Sequence, residues 1–139
     1  MTFNELTEFL DNLGWPHQAM TDSVAKSLYS GSFGPTKVLF HVNPAGLRIA
    51  INPVLEKPSE TGAWGKSVAQ LVKKLNQESA NIRIGLDSEG DIYVKLDLPK
   101  QQLSFDQFVY VLVNFCQVSD QLTVPVLQAQ AYDHQTAVA

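Results

Sequence analysis

One cysteine in 139 residues, few charges and no long apolar run remove several kinds of protein before any pattern is read. The lone thiol, Cys116, excludes an intrachain disulfide. It sits between Phe115 and Gln117 in the most apolar helical stretch, where a buried small hydrophobe is expected rather than a reactive nucleophile. No stretch approaches the roughly eighteen apolar residues of a membrane span, and Met1-Thr2-Phe3-Asn4-Glu5 lacks the basic start and apolar core of a signal peptide, so the cytoplasm is the expected compartment. Basic residues are in deficit: ten Lys and Arg against fourteen Asp and Glu give a net charge of −4 and a pI near 5.2. A binder of phosphate backbones needs a basic stripe to release counterions, which sets nucleic acid aside.

Catalytic signatures are also missing. The nearest thing to a phosphate loop is Gly31-Ser32-Phe33-Gly34-Pro35-Thr36-Lys37, but a P-loop places its Lys directly after the last glycine, and here Pro35 and Thr36 intervene. Asp87-Ser88-Glu89-Gly90-Asp91 has the carboxylates of a calcium loop without its twelve-residue length or flanking helices, and reads as a hairpin turn with solvated carboxylates. His17, His41 and His134 are too far apart in sequence to show metal-ligand spacing. There is no nucleophile elbow. The expectation is no enzyme, no cofactor and no metal.

What is present is globular: 45% of residues are hydrophobic and 17% charged. A single domain of this length buries about two-thirds of the surface of its unfolded chain. Thr2 and Glu5 form a capping box, and Phe3, Leu6, Phe9, Leu10 and Leu13 share an arc of about 120° before Gly14-Trp15-Pro16 ends the helix. Residues 17 to 35 read as a short element, with Val24, Leu28 and Tyr29 fitting a helix, followed by a mobile loop at 30 to 35. Val38–Val42 and Leu47–Ile51 form a hairpin around Asn43-Pro44-Ala45-Gly46. Beyond Pro53 and Pro58, Trp64, Val68, Leu71, Val72 and Leu75 mark an amphipathic helix.

The stretch from Asn81 to Asp120 carries the clearest pattern. Ile82, Ile84 and Leu86 alternate on one strand and Ile92, Val94, Leu96 and Leu98 on the next, with Arg83, Asp91, Lys95 and Asp97 pointing away. Pro99 stops the strand, and Ser104-Phe105-Asp106-Gln107 opens a helix from Phe105 to about Ser119. That helix is apolar over roughly 220°, wider than the stripe that one core needs. It is expected either to be packed on two sides or to form a subunit interface. The organisation is one α+β domain at 1–125 and a flexible tail at 126–139.

This order of elements, and Ile92-Tyr93-Val94-Lys95-Leu96-Asp97-Leu98-Pro99 followed by Leu103-Ser104-Phe105 and Phe108, resembles the YbjN-like family, which is similar in fold to the class I chaperones of type III secretion. The resemblance implies a twisted antiparallel sheet with helices packed on one side in the order helix, strands, helix, hairpin, helix. It implies a chain that is commonly dimeric and has no catalytic residues. Chaperones of this shape hold an extended client segment against grooves and sheet edges. Size and general pattern also resemble the chaperone-like proteins that assist carboxysome shell assembly by gripping a terminal extension of a shell subunit.

The residues agree in kind with a protein-binding module whose partner is an extended or terminal segment of a client protein, or a second copy of the chain. The apolar residues expected at the partner surface are Tyr110, Val111, Val113 and Val118 on the wide helix, together with Phe40, Trp15 and Phe33; the outer strands of the two hairpins are expected to offer unpaired edges. The alternatives are a small-ligand regulatory domain or enzyme, with a pocket lined by Trp15, Tyr29, Phe33 and His41, and a permanent subunit of a larger assembly.

Overall fold

Thr2 opens the first helix as the sequence requires. Its hydroxyl accepts from Glu5 N at 3.1 Å, and the Glu5 carboxylate accepts from Thr2 N at 3.4 Å. The computed structural model describes residues 1–59, 61–78 and 81–138, for 136–138 the backbone alone. Helix α1 (Phe3–Leu13) buries Leu6 and Leu10 and ends at Gly14, whose positive φ of 77° lets its N–H close onto Leu10 and Asp11 carbonyls.

The segment expected to hold a short helix and a loop is instead β-structure. Strands β1 (His17–Ala19) and β2 (Val24–Gly31) pair antiparallel, and β2 continues through a tight turn at Ser32-Phe33 into β3 (Gly34–Asn43). Val24, Leu28 and Tyr29 suggested helical spacing, yet the residues on which β2 turns are Ala25 and Ser27. These are small enough to lie flat beneath the helices, and they alternate with Lys26 and Leu28. Ser27, one of the few buried polar residues, is satisfied by donating to Pro16 O at 2.7 Å.

β3 turns at Pro44-Ala45 into β4 (Gly46–Leu55). Gly46 is obligatory there: φ is 147°, and a Cβ would run into the Leu98 carbonyl of the neighbouring strand. Near Pro53 the register of β4 shifts between Ile51 and Leu55, where proline cannot donate to the ladder. Helix α2 (Lys66–Glu78) then leads to β5 (Ile82–Leu86) and β6 (Ile92–Pro99). All six strands form one antiparallel sheet in the order β1-β2-β3-β4-β6-β5.

Alternation along every strand turns one side chain in two toward the helices. Phe40, Ile49, Ile51, Ile92 and Val94 are fully or almost fully buried there, against Phe108, Leu112 and Phe115 of α3 (Phe105–Val138). A ring cluster ties three elements together, with Phe108 5.3 Å from Phe9 and 6.2 Å from Phe40. The architecture is α+β, one twisted antiparallel sheet with its helices on one side. Helix α3 begins as expected, with Gln107 and Ser104 bonded reciprocally at 2.9 and 3.2 Å.

Its end is a correction. The helix does not stop near Ser119 but runs 34 residues to Val138, through Pro125, so 126–138 of the stretch expected as a tail are its last turns, and Ala139 lies outside the described residues. Leu122 and Val126 lie in the core on either side of the proline, and that burial outweighs the lost N–H. The far end of α3 also caps α2: Ser67 N donates to Asp133 Oδ2 at 2.8 Å, and Gly65 N to Gln130 Oε1 at 3.0 Å.

Candidate functional site

An α-helix that covers a sheet buries one stripe, and α3 has apolar residues left over. On its outward side Tyr110 is 77% exposed and Val113 45%, with Val124, Leu127 and Tyr132 further along. Tyr110 and Val111 separate two depressions. One, of about 290 Å³, lies between α3 and the β5–β6 hairpin and is lined by Ile82, Leu96, Leu98, Val111, Asn114 and Val118, with Tyr110 at its rim. The other, about 430 Å³, is formed by the loop before α3, with Gln102, Leu103 and Gln107. Apolar walls with amide side chains at the margin suit an apolar anchor flanked by peptide backbone.

The seven residues expected at a partner surface do not all meet. Tyr110, Val111 and Val118 line the same groove, and Val113 stands exposed on the adjoining face of α3. Phe40 is wholly buried against Phe108 and can touch no partner: alternation along β3 turns it toward the helices while its neighbour Leu39 faces out. Trp15 stacks on Tyr29 with ring centroids 6.1 Å apart and is partly buried. Phe33, 62% exposed at the β2–β3 turn, lines a different cavity. Leu98, Leu103, Asn81 and Asn114 were missed; the β4–β6 pairing that lifts Leu98 to the groove is non-local and has no signal in the local sequence.

The cavity at Phe33, about 440 Å³, is bounded by Tyr29, Thr36, Lys37, Asn52 and Asp120. It contains two of the four residues expected for a ligand pocket; His41 lies on the far side of the sheet, opposite Arg48. Asp120 is engaged structurally, accepting from Ser32 N at 2.8 Å and Ser32 Oγ at 2.6 Å, which fastens the β2–β3 turn to α3. Burial first, and the Asp120 charge second, raise the Tyr29 pKa above its ordinary value.

Cys116, Asp87 and Asp91 have structural roles. Burial pushes the Cys116 thiol up to about 12, far from a reactive thiolate. Asp87 accepts from Glu89 N and Asp91 N, both at 2.9 Å, which closes the turn, and Asp91 accepts from Lys57 N at 2.8 Å, which ties the turn to the segment after β4. Among the described residues no group of three His, Cys, Asp or Glu could hold a metal ion, and no helix is long and apolar enough to cross a membrane.

The sheet edges are blunted. Both strands of the first hairpin are internal, which removes the edges expected there. β1 has three residues, and the edge strand β5 has its Ile84 N–H taken by Asn76 Oδ1 of α2 at 3.1 Å.

Comparison with known proteins agrees with this fold. The pattern of the YbjN family, described as "Putative bacterial sensory transduction regulator", matches residues 2–124. A chain of the heterodimeric complex ExoU-SpcU from the type III secretion system of Pseudomonas aeruginosa superposes with a TM-score of 0.61 at 11% identity, over 86% of this chain and 95% of that one. The fold is therefore of the type III secretion chaperone kind. No curated protein matches the sequence.

Proposed function

The chain belongs to the YbjN family, and from that premise we propose that it is a non-enzymatic, chaperone-like protein-binding module of the cytoplasm that holds a segment of a client protein in the groove beside Tyr110. The observation that carries this is Tyr110 itself, a large aromatic 77% exposed on a helix with a well-formed core face and bordered by two apolar depressions. Exposed aromatics over desolvated pockets are the usual anchors of protein interfaces. Blunted edges favour groove filling over strand addition, so the held segment inserts side chains more than it extends the sheet. The likeness to a chain from a heterodimeric secretion complex supports a protein partner. The narrower role, assisting carboxysome shell assembly by gripping a terminal extension of a shell subunit, rests on size and general pattern and requires that client.

The test is paired affinity capture from native lysate with wild-type chain and Tyr110→Asp, followed by quantitative mass spectrometry. One protein retained by the wild type and depleted at least tenfold by the variant is the expected outcome, since burying an unpaired charge in the groove is strongly unfavourable. Equal capture by both, or a wild-type chain that retains only a second copy of itself, overturns the reading. A ligand-sensing role keeps one observation in its favour, the cavity of about 440 Å³ at Phe33, a volume within the range of small-molecule sites. It predicts a thermal shift with a metabolite that Phe33→Ala abolishes.

A further inference from the structure

Charge on this chain is sorted between the strands and the rest of the chain. The sequence has ten Lys and Arg, of which the strands hold five: Lys26, Lys37, Arg48, Arg83 and Lys95. Lys26, Arg48, Arg83 and Lys95 each stand between two residues buried beneath the helices, so these four point to the open face of the sheet. Of fourteen Asp and Glu the strands hold one, Asp97. Everything outside the strands therefore carries thirteen carboxylates against five cations.

The one carboxylate within the strands, Asp97, is already used. Arg48 Nε donates to Asp97 Oδ1 at 2.7 Å and Arg48 Nη2 to Asp97 Oδ2 at 3.3 Å. The Arg48 bond, aided by the Lys95 and Arg83 charges, holds the Asp97 carboxyl below its usual range. Lys26, Lys37, Arg83 and Lys95 form no ion pair among the described residues, and Lys95 and Arg83 feel Asp97 only at longer range. The register sets five strand side chains in one row across the sheet, three of them cations: Lys26, Leu39, Ala50, Lys95 and Arg83. Lys95 and Arg83 are directly opposed, and like charges facing one another across strands destabilise a sheet. Solubility alone would be served by mixed signs. A row that ends in cations, has Leu39 and Ala50 between them and maintains an internal repulsion is arranged for something else.

We propose that the open face of the sheet docks an acidic polypeptide segment, its carboxylates on Lys26 and on the Lys95–Arg83 pair and its small apolar side chains over Leu39 and Ala50. The spacing fits: Lys26 and Lys95 are three strand steps apart, about 14 Å at about 4.8 Å per step, which an extended chain spans in about four residues. Lys95 also lies over the Tyr93 ring, 5.6 Å from its centroid, which keeps the ammonium raised on an apolar support. A nucleic acid strand, with a phosphate at every nucleotide, matches neither the apolar centre of the row nor the acidic remainder of the molecule. This surface lies on the opposite side of the sheet from the α3 groove and stands or falls separately from it.

The experiment is fluorescence anisotropy with a labelled peptide in which glutamates recur every fourth residue with Ala and Leu between. The same peptide with Lys for Glu, an oligothymidylate and anionic lipid vesicles are the comparisons. Expected is binding of the acidic peptide alone, weakening as salt rises, with a loss of about tenfold in Lys26→Glu/Lys95→Glu. Asp97→Asn releases the Arg48 guanidinium and tightens binding, a gain that misfolding cannot imitate. Equal affinity for the Lys peptide, preference for the oligonucleotide or vesicles, or indifference to both sets of substitutions overturns the proposal. The α3 groove has no part in this assay, so its failure leaves the client-holding reading intact.

Discussion

At the scale of single residues, a thiol that carries chemistry in other proteins is packed here in the core. Cys116 is 2% exposed and its thiol is pushed up to about 12 by burial, with a smaller contribution from the Asp120 charge. The folded chain therefore holds the Cys116 proton more tightly than the unfolded chain does. Its contribution to stability is complete below the ordinary thiol value of 9.0 and declines as pH rises from there toward about 12. Denaturant unfolding across that range should show a steeper alkaline loss for the wild type than for Cys116→Ala, and parallel curves would contradict the assignment. Alkylation of native Cys116 should likewise proceed only as fast as the chain opens. Phe40 gives the complementary lesson: its place in a β-rich run marked it as strand but could not say which face it occupied, because that depends on the pairing of β3 with β2.

At the scale of elements, local signals reported what local physics decides. The capping boxes at Thr2 and Ser104, the Gly14 stop and the alternation of β5 and β6 were all legible, since each is settled within a few residues. Elements settled by distant partners were not. Val24, Leu28 and Tyr29 have the spacing of a short helix and residues 30 to 35 the look of a loop, yet β2 is a strand because β1 and β3 flank it. The end of α3 was hidden by Pro125, ordinarily a stop, and became helical because Leu122 and Val126 have a core to enter. The same docking explains why α2 needs no strong local cap: Asp133 accepts from the first-turn amides. Asp133→Ala should cost at least about 1 kcal/mol, a fall in Tm of about 3 to 5 °C, with Asp133→Asn costing less because an acceptor oxygen remains. An unchanged Tm in Asp133→Ala would mean that the far end of α3 is not fastened to α2.

At the scale of the whole molecule, one sheet separates two unlike surfaces. The helix side has an apolar groove and an exposed tyrosine, and the open side a row of cations. The sequence made the excess apolar width of α3 visible, and with it Tyr110, Val111 and Val118. It could not reveal the groove, because Leu96 and Leu98 reach its wall only through pairing of β6 with β4, more than forty residues away in sequence. Charge sorting was equally invisible, since a net charge of −4 averages over the strands and the rest of the chain alike. The most direct test of client holding places a photo-crosslinking benzoylphenylalanine at position 110 and, in a matched chain, at the exposed Lys73 on α2. Illumination in native cells should join position 110 to one protein through a single short segment while position 73 gives none. Crosslinks that are absent at 110, or equally diffuse at both positions, would contradict the account.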